Sequence, residues 1–185
     1  MARPPHARER VLDAFEQILI SEGERFATLD ATAKRAEVSK GGLLYHFASK
    51  DELASAMIAR LVDLLAQDVE QMMAAPEGPI DYFLRTSVLG NDPLDRAFVA
   101  VSRLAQSDSL EARETLRQAR ERWAECIRPQ VRDQAALNLV MLVSDGLYFN
   151  NVLDVEGAQI GVPQGANLEA LIDLVLRSAT LTATA

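Results

Sequence analysis

Residues 38–53 read VSKGGLLYHFASKDEL, and this stretch decides the fold. A very short helix is predicted here, with Ser39 as its N-cap and its end near Phe47. Two glycines, Gly41 and Gly42, stand in the first turn, although each costs roughly 1 kcal/mol relative to alanine inside a helix. The two glycines therefore indicate that something approaches this backbone closely.

A second short helix is predicted immediately before the first. Thr28 offers a hydroxyl N-cap to a helix over Leu29–Ala36, and residues 37–39 form a short turn. A positioning helix, a tight turn and a recognition helix are the three parts of a helix-turn-helix, whose second helix enters the major groove of DNA. The sequence therefore predicts a DNA-binding motif over residues 28–47.

A long helix is predicted to follow, over Ser49–Ala75. Ser49 and Glu52 stand in the S-x-x-E relation of a capping box, in which two unpaired backbone donors are satisfied reciprocally. Lys50 occupies the first turn, where the helix macrodipole disfavours a cation. An anion held jointly by the helix N-terminus and the ammonium group would explain this placement.

Apolar residues at three- and four-residue steps predict an all-α chain of about nine helices. The first is predicted over Arg8–Glu22, ahead of the motif. A loop is predicted over Asp154–Ala166, which is rich in glycine and has no helical period. The helices predicted after Pro79 are Ile80–Val88, Pro93–Gln106, Leu110–Ile127, Asp133–Leu153 and Asn167–Ala183.

Charge is unevenly distributed along the chain. Residues 1–50 hold 8 basic and 7 acidic side chains, whereas residues 51–185 hold 11 and 20. A near-neutral head with clustered lysines and an acidic body favours nucleic-acid binding by the head alone. The single Cys126 excludes an internal disulfide, no apolar run is long enough to cross a membrane, and no export signal is visible. We therefore expect a cytoplasmic protein.

The motif resembles the signature of the tetracycline-repressor (TetR) family, V-S-x-G-x-L-Y-x-H/Y-F followed by x-S-K-x-x-L. Leu44 stands where the family usually has tyrosine, and Glu37 where it usually has glycine. The resemblance implies a repressor with an N-terminal three-helix DNA-binding domain over residues 1–48 and a helical-bundle domain over 49–185 for dimerisation and ligand binding. It also implies a palindromic operator, a small-molecule inducer and no cofactor. The residues that it implies for DNA contact are Thr28, Ser39, Lys40, Gly41, Gly42, Tyr45, His46 and Lys50.

The predicted body offers a dimer face and a ligand pocket. The helix Asp133–Leu153 is apolar on more than one face, which favours burial on two sides, and the resemblance implies a partner copy on one of them. A central helix of a monomeric bundle is the alternative. Aromatic and methionine side chains suit an apolar or planar inducer, and the acidic body is compatible with a cationic one. The predicted pocket residues are Met72, Phe98, Trp123, Asn138, Met141, Asp145, Tyr148 and Phe149.

Several alternatives stay open at this stage. Asp145 either faces the ligand or is paired with an arginine at the surface. His46 has no cluster of metal-ligand spacing around it, and no catalytic motif is present, so neither a metal site nor an enzyme is expected. Cys126 is interpreted as a small core residue and not as a redox sensor. The competing function is a helical interaction or ligand-sensing module without sequence-specific DNA binding.

Overall fold

The computed structural model of the chain describes residues 7–88, 92–153 and 162–180. Over these ranges the regular structure is helical, apart from two 3-10 turns and one isolated β-bridge, and the predicted all-α class is confirmed. No helix in the same ranges is both long and apolar enough to cross a bilayer. The nine α-helices of the described chain are α1 (Ala7–Ser21), α2 (Leu29–Arg35), α3 (Lys40–His46), α4 (Lys50–Ala74), α5 (Pro79–Thr86), α6 (Pro93–Gln106), α7 (Leu110–Ile127), α8 (Gln134–Leu153) and α9 (Ala166–Ala179).

Two helix ends differ from the prediction for identifiable reasons. Helix α5 begins at Pro79, one residue before the predicted start. Proline is tolerated at the first helical position, because the backbone N–H that it lacks would have no partner there anyway. Helix α9 ends at Ala179, because Thr180 becomes extended and forms the isolated bridge with Val131. The last residues of the predicted helix, 181–183, and residues 154–161 of the predicted loop lie outside the described residues.

The chain divides into two compact units. Unit 1 comprises Met1–Leu65 and Pro93–Ala119, and unit 2 comprises Ala66–Asp92 and Arg120–Ala185, so α4 contributes residues to both. The core of unit 1 includes the fully buried side chains Phe15, Leu43, Leu53, Met57 and Leu61. The core of unit 2 includes Met72, Leu84, Ile127, Val140 and Ile172.

A buried carboxylate ties three helices of unit 1 together. Glu16 of α1 is only 5% exposed, and it pairs with Arg60 of α4 at 3.1 Å and with Arg96 of α6 at 3.2 Å. Arg60 also reaches Glu9 at 2.9 Å and Asp13 at 2.8 Å on α1. A buried charge without such partners would be strongly destabilising, so these contacts fix α1 against α4 and α6.

Candidate functional site

Backbone hydrogen bonds close the turn between α2 and α3. Val38 N–H donates to the Ala33 carbonyl at 3.0 Å, and Glu37 N–H donates to the Lys34 carbonyl at 3.3 Å. This is the Schellman arrangement, in which the residue after the helix cap is left-handed and is usually glycine. Glu37 takes that conformation with φ 54°, at a cost of roughly 1 kcal/mol relative to glycine.

Two hydroxyls predicted to contact DNA serve as helix caps. The Thr28 hydroxyl accepts from Ala31 N–H at 3.1 Å, and the Ser39 hydroxyl accepts from Gly42 N–H at 3.0 Å. A hydroxyl that accepts one such bond still has its own hydrogen to donate. Both residues are exposed, so each can cap its helix and donate to an external acceptor at the same time.

Helix α3 presents one face to the core and the other to solvent. Leu43 and Gly42 are buried, whereas Tyr45 is 74% exposed and Leu44 is 39% exposed. Gly41 is exposed, and a Cβ atom built on it would meet nothing within 4 Å. The folded chain itself therefore gives no steric reason for glycine at position 41.

Both lysines predicted to contact DNA pair with carboxylates of unit 1. Lys40 Nζ lies 2.9 Å from Asp30 Oδ1, and both side chains are more than half exposed. Lys50 Nζ lies 2.5 Å from Glu24 Oε1 and donates to the Glu24 carbonyl at 2.8 Å. Within the chain, the anion beside Lys50 is therefore the carboxylate of Glu24.

The cap at the start of α4 is also slightly different from the prediction. Glu52 N–H donates to the Ser49 hydroxyl at 3.1 Å, as expected for a capping box. The Glu52 carboxylate accepts at 2.7 Å from the backbone N–H of Ala48 and not from that of Ser49. Ser49 therefore caps the helix as the motif predicts, and only the bond to the Glu52 carboxylate comes from a residue one position earlier.

Other polar groups at this surface were not singled out by sequence reasoning. Arg25 and Lys34 are exposed, and neither has an ion-pair partner among the described residues. Lysine clustering in the sequence was the signal that could have identified Lys34.

His46 is half-buried with its ring 5.2 Å from that of Tyr45, and its buried Nε2 has no hydrogen-bond partner within the described chain.

The predicted ligand residues are distributed over both units. Phe98 packs against the core of unit 1, and the other seven belong to unit 2. Within unit 2, Met72 and Met141 are buried and Trp123 and Tyr148 are half-buried, whereas Asn138, Asp145 and Phe149 are exposed. A cavity of about 220 Å³ opens before and at the start of α8, and it is lined by other residues, namely Arg128, Val131, Asp133, Gln134 and Leu137.

Two of the exposed polar residues of α8 have partners at the protein surface. Asp145 forms an ion pair with Arg120 of α7, which is the second of the two alternatives left open above. Asn138 accepts a hydrogen bond from the Gln134 side chain at 2.9 Å. Neither side chain is an unpaired buried group that would require a ligand.

A carboxylate that sequence reasoning missed lies among the aromatic residues of unit 2. Asp68 of α4 accepts from Trp123 Nε1 at 2.8 Å and from the Tyr82 hydroxyl at 3.1 Å. The Trp123 ring lies 5.7 Å from the ring of Phe83. No pattern along the chain indicates this cluster, because Tyr82 and Trp123 are 14 and 55 residues from Asp68 and the three residues come from three helices.

Metal and thiol chemistry receive no support from the described residues. Across the described ranges, no group of three or more His, Cys, Asp or Glu side chains is arranged to hold a metal ion. Burial raises the pKa of the Cys126 thiol, and the neighbouring carboxylates of Glu125 and Asp68 add to that effect. Cys126 therefore favours the unreactive thiol over the thiolate.

Known proteins resemble this chain most clearly in its head. Residues 11–57 match the model of the bacterial regulatory proteins of the tetR family. The transcriptional activator FasR of Mycolicibacterium smegmatis is 39% identical over 66 residues, which are 36% of this chain and 30% of FasR. The matched stretches span between 27% and 43% of the curated relatives, so this chain matches less than half of their length.

Solved structures share the fold over nearly the whole chain. The protein SCO7518 of Streptomyces coelicolor A3(2) has a TM-score of 0.67 at 20% identity, covering 96% of this chain and 100% of that one. The SmeT–triclosan complex has a TM-score of 0.67 at 17% identity, covering 96% and 93%. At such identities these structures establish the common fold alone.

Proposed function

On the premise of the tetR-family match over residues 11–57, we propose that the chain is a TetR-type regulator and that it represses transcription in the cytoplasm. It binds a near-palindromic operator as a homodimer, blocks the promoter, and is released by a small-molecule inducer. The observation that carries this proposal is the solvent face of α3, with exposed Gly41, Leu44 and Tyr45 on a capped two-turn helix. Such a helix is suited to the major groove.

The assignment of contacts on this face follows from exposure and chemistry. Gly41 lets the DNA backbone approach α3, because the open space around it is not needed by the chain itself. Tyr45, Thr28 and Ser39 donate hydroxyl hydrogens to phosphates, and Lys40 exchanges Asp30 for a phosphate. Arg25 and Lys34 supply further cations for phosphate binding.

The dimer is proposed to form through α8 and α9 of unit 2. Both helices expose large apolar side chains, which are Leu142 at 64%, Phe149 at 63% and Leu139 at 37% on α8, and Leu174 at 54% on α9. Exposed apolar patches of this kind mark interfaces. Gly146 has open space around it, which would allow a partner helix to approach closely.

Unit 2 is the proposed ligand-binding part, and α4 is the proposed connection to the DNA-binding head. SmeT, a protein of the same fold, forms a complex with triclosan. Because α4 carries Lys50 at its first residue and Asp68 further along, a tilt of this helix on ligand binding would move the head. Ligand and operator must then weaken each other's binding by the same factor.

A mobility-shift assay on the DNA that flanks the protein's own gene tests the proposal. A salt-sensitive shift on a near-palindrome, together with reduced transcription in vitro, is the expected result. An increase of transcription on the same DNA would make the protein an activator, as FasR is named. The absence of any specific shift would reject operator binding.

One observation favours a second candidate, a helical module without sequence-specific DNA binding. Lys40 and Lys50 are both paired with carboxylates of the same unit, which leaves fewer unpaired cations for phosphate. Under this alternative the chain shows only weak binding, equal on operator and random DNA. The same mobility-shift assay with a random duplex as competitor distinguishes the two.

A further inference from the structure

Asp68 is unusual among the carboxylates of unit 2, because its hydrogen-bond donors carry no charge. The donors are the indole N–H of Trp123 and the phenol of Tyr82. By contrast, Asp81 and Glu169 both pair with Arg85. Asp68 has no lysine or arginine partner anywhere in the described chain.

The electrostatic surroundings of Asp68 make it unfavourable for this carboxylate to be charged without a cation beside it. Asp68 is half-buried, and removing a carboxylate from water is unfavourable unless a positive charge accompanies it. The negative charge of Asp92 raises the pKa of Asp68. The pKa of Tyr82 is raised to about 12, mainly by burial and by Asp68, and the charges of Asp92 and Glu77 add to this effect. The cluster therefore has a negative potential and keeps Tyr82 as a neutral donor.

Two aromatic side chains contact this carboxylate through their polar edges. Tyr82 and Trp123 hold it directly, and Phe83 packs against the Trp123 ring at 5.7 Å. The faces of tyrosine and tryptophan attract cations, and the attraction grows when water is displaced. Since Asp68, Tyr82 and Trp123 are all partly exposed, a molecule from solvent can reach them.

We propose that Asp68, Tyr82 and Trp123 form a binding site for an aromatic or quaternary organic cation, which is the inducer class of this regulator. The carboxylate supplies the countercharge and the rings supply stacking surface. Only the role of the cation as inducer rests on the function proposed above, because binding of the cation itself can be measured without DNA. A purely structural role for Asp68, as an acceptor that orients the two rings, is the alternative.

The test uses two ions of the same shape and opposite charge, tetraphenylphosphonium and tetraphenylborate. Trp123 is the single tryptophan of the chain, so its fluorescence reports directly on this site. We expect the phosphonium to change Trp123 emission saturably and to release operator DNA, and the borate to do neither. Equal binding of both ions, or no binding of the phosphonium, would overturn the proposal.

Variants locate the site within unit 2. Asp68→Asn keeps the shape of the side chain and removes its charge, and we expect phosphonium affinity to fall by about 10- to 100-fold. Asp173→Asn removes the same charge from an exposed position of α9 and should leave the affinity unchanged. Unchanged affinity in a folded Asp68→Asn variant would overturn the proposal.

The two proposals fail in distinguishable ways. A chain that binds the phosphonium through Asp68 but never shifts DNA loses the repressor function and retains the cation site. A chain that binds its operator but ignores the phosphonium retains the repressor function and loses the cation site.

Discussion

The ammonium nitrogen of Lys50 lies 2.5 Å from a carboxylate oxygen of Glu24 and 2.8 Å from the carbonyl oxygen of the same residue. The first residue of α4 is therefore tied to the 3-10 turn that precedes α2. In the free protein Glu24 occupies the place beside Lys50 that the sequence assigned to a DNA phosphate. Binding of a phosphate by Lys50 must displace or share this carboxylate.

The variant Glu24→Gln tests that competition. Removing the carboxylate charge should free Lys50 and strengthen binding to all DNA sequences by a few-fold, with a salt slope steeper by about one unit. Fluorescence anisotropy on operator and random duplexes over a range of salt concentrations measures both effects. Glu114→Gln, which removes a carboxylate that pairs with Arg117 on α7, is the control and should change neither. If the Glu24→Gln variant binds DNA more weakly, the contact of Lys50 with Glu24 stabilises the fold, and Lys50 is not a phosphate ligand.

Gly41→Ala should separate stability from DNA binding. The helical backbone and open surroundings of Gly41 accommodate a methyl group, so the folded state should gain up to about 1 kcal/mol. Operator affinity should nevertheless fall, because the methyl group occupies the space proposed for the DNA backbone. Chemical denaturation and anisotropy measure the two quantities. A variant that is more stable and binds operator as tightly as before would show that the DNA does not approach α3 here.

Glu37→Gly should stabilise the protein by about 0.5–1 kcal/mol. The gain arises because Glu37 is held at φ 54° in the turn between α2 and α3, where glycine is unstrained. Glu37→Ala is the matched control, since alanine removes the same charge and keeps the strain. Urea denaturation of both variants measures the difference, and equal stability of the two would assign the effect to charge and not to backbone conformation.

Leu142→Glu should convert the proposed dimer into a monomer. Leu142 is 64% exposed in the single chain, so the change should leave the folding of unit 2 intact while placing a charge in the proposed interface. Sedimentation velocity measures the association state. Leu110→Glu alters a side chain that is 76% exposed on α7 and should leave the dimer unaffected. A Leu142→Glu variant that remains dimeric would exclude this face of α8.

The ionisation of Asp68 should appear in the pH dependence of stability. Burial raises the pKa of Asp68, and the charge of Asp92 raises it further, while the hydrogen bonds from Trp123 and Tyr82 oppose the shift. A raised pKa in the folded state means that the stability this group contributes is present below the ordinary aspartate pKa and is lost as the pH rises through the raised value. Relative to Asp68→Asn, the wild type should therefore lose stability with rising pH over that range. Parallel pH profiles from thermal unfolding would contradict this.

The sequence predicted local features well and tertiary contacts poorly. Thr28, Ser39 and Ser49 cap their helices as expected, because capping depends on residues within one turn. The Lys50–Glu24 and Asp68–Trp123 contacts join residues 26 and 55 positions apart, and no pattern along the chain indicates such pairs. For Asp145 the residues left two alternatives of equal weight, and the ion pair with Arg120 of α7 decides between them.

The contacts of Glu16 bear on how this chain can be joined to parts of other proteins. A chimera that joins the first 48 residues to a foreign sensor would leave out Arg60 and Arg96, the two guanidinium partners of the buried Glu16 carboxylate. The grafted segment would then carry an uncompensated charge in its interior. The transplantable cassette is instead all of unit 1, including the front half of α4, α6 and the first part of α7. New specificities should thus be engineered on the surface of α3 within the intact chain, whereas a foreign sensor would have to replace both segments of unit 2.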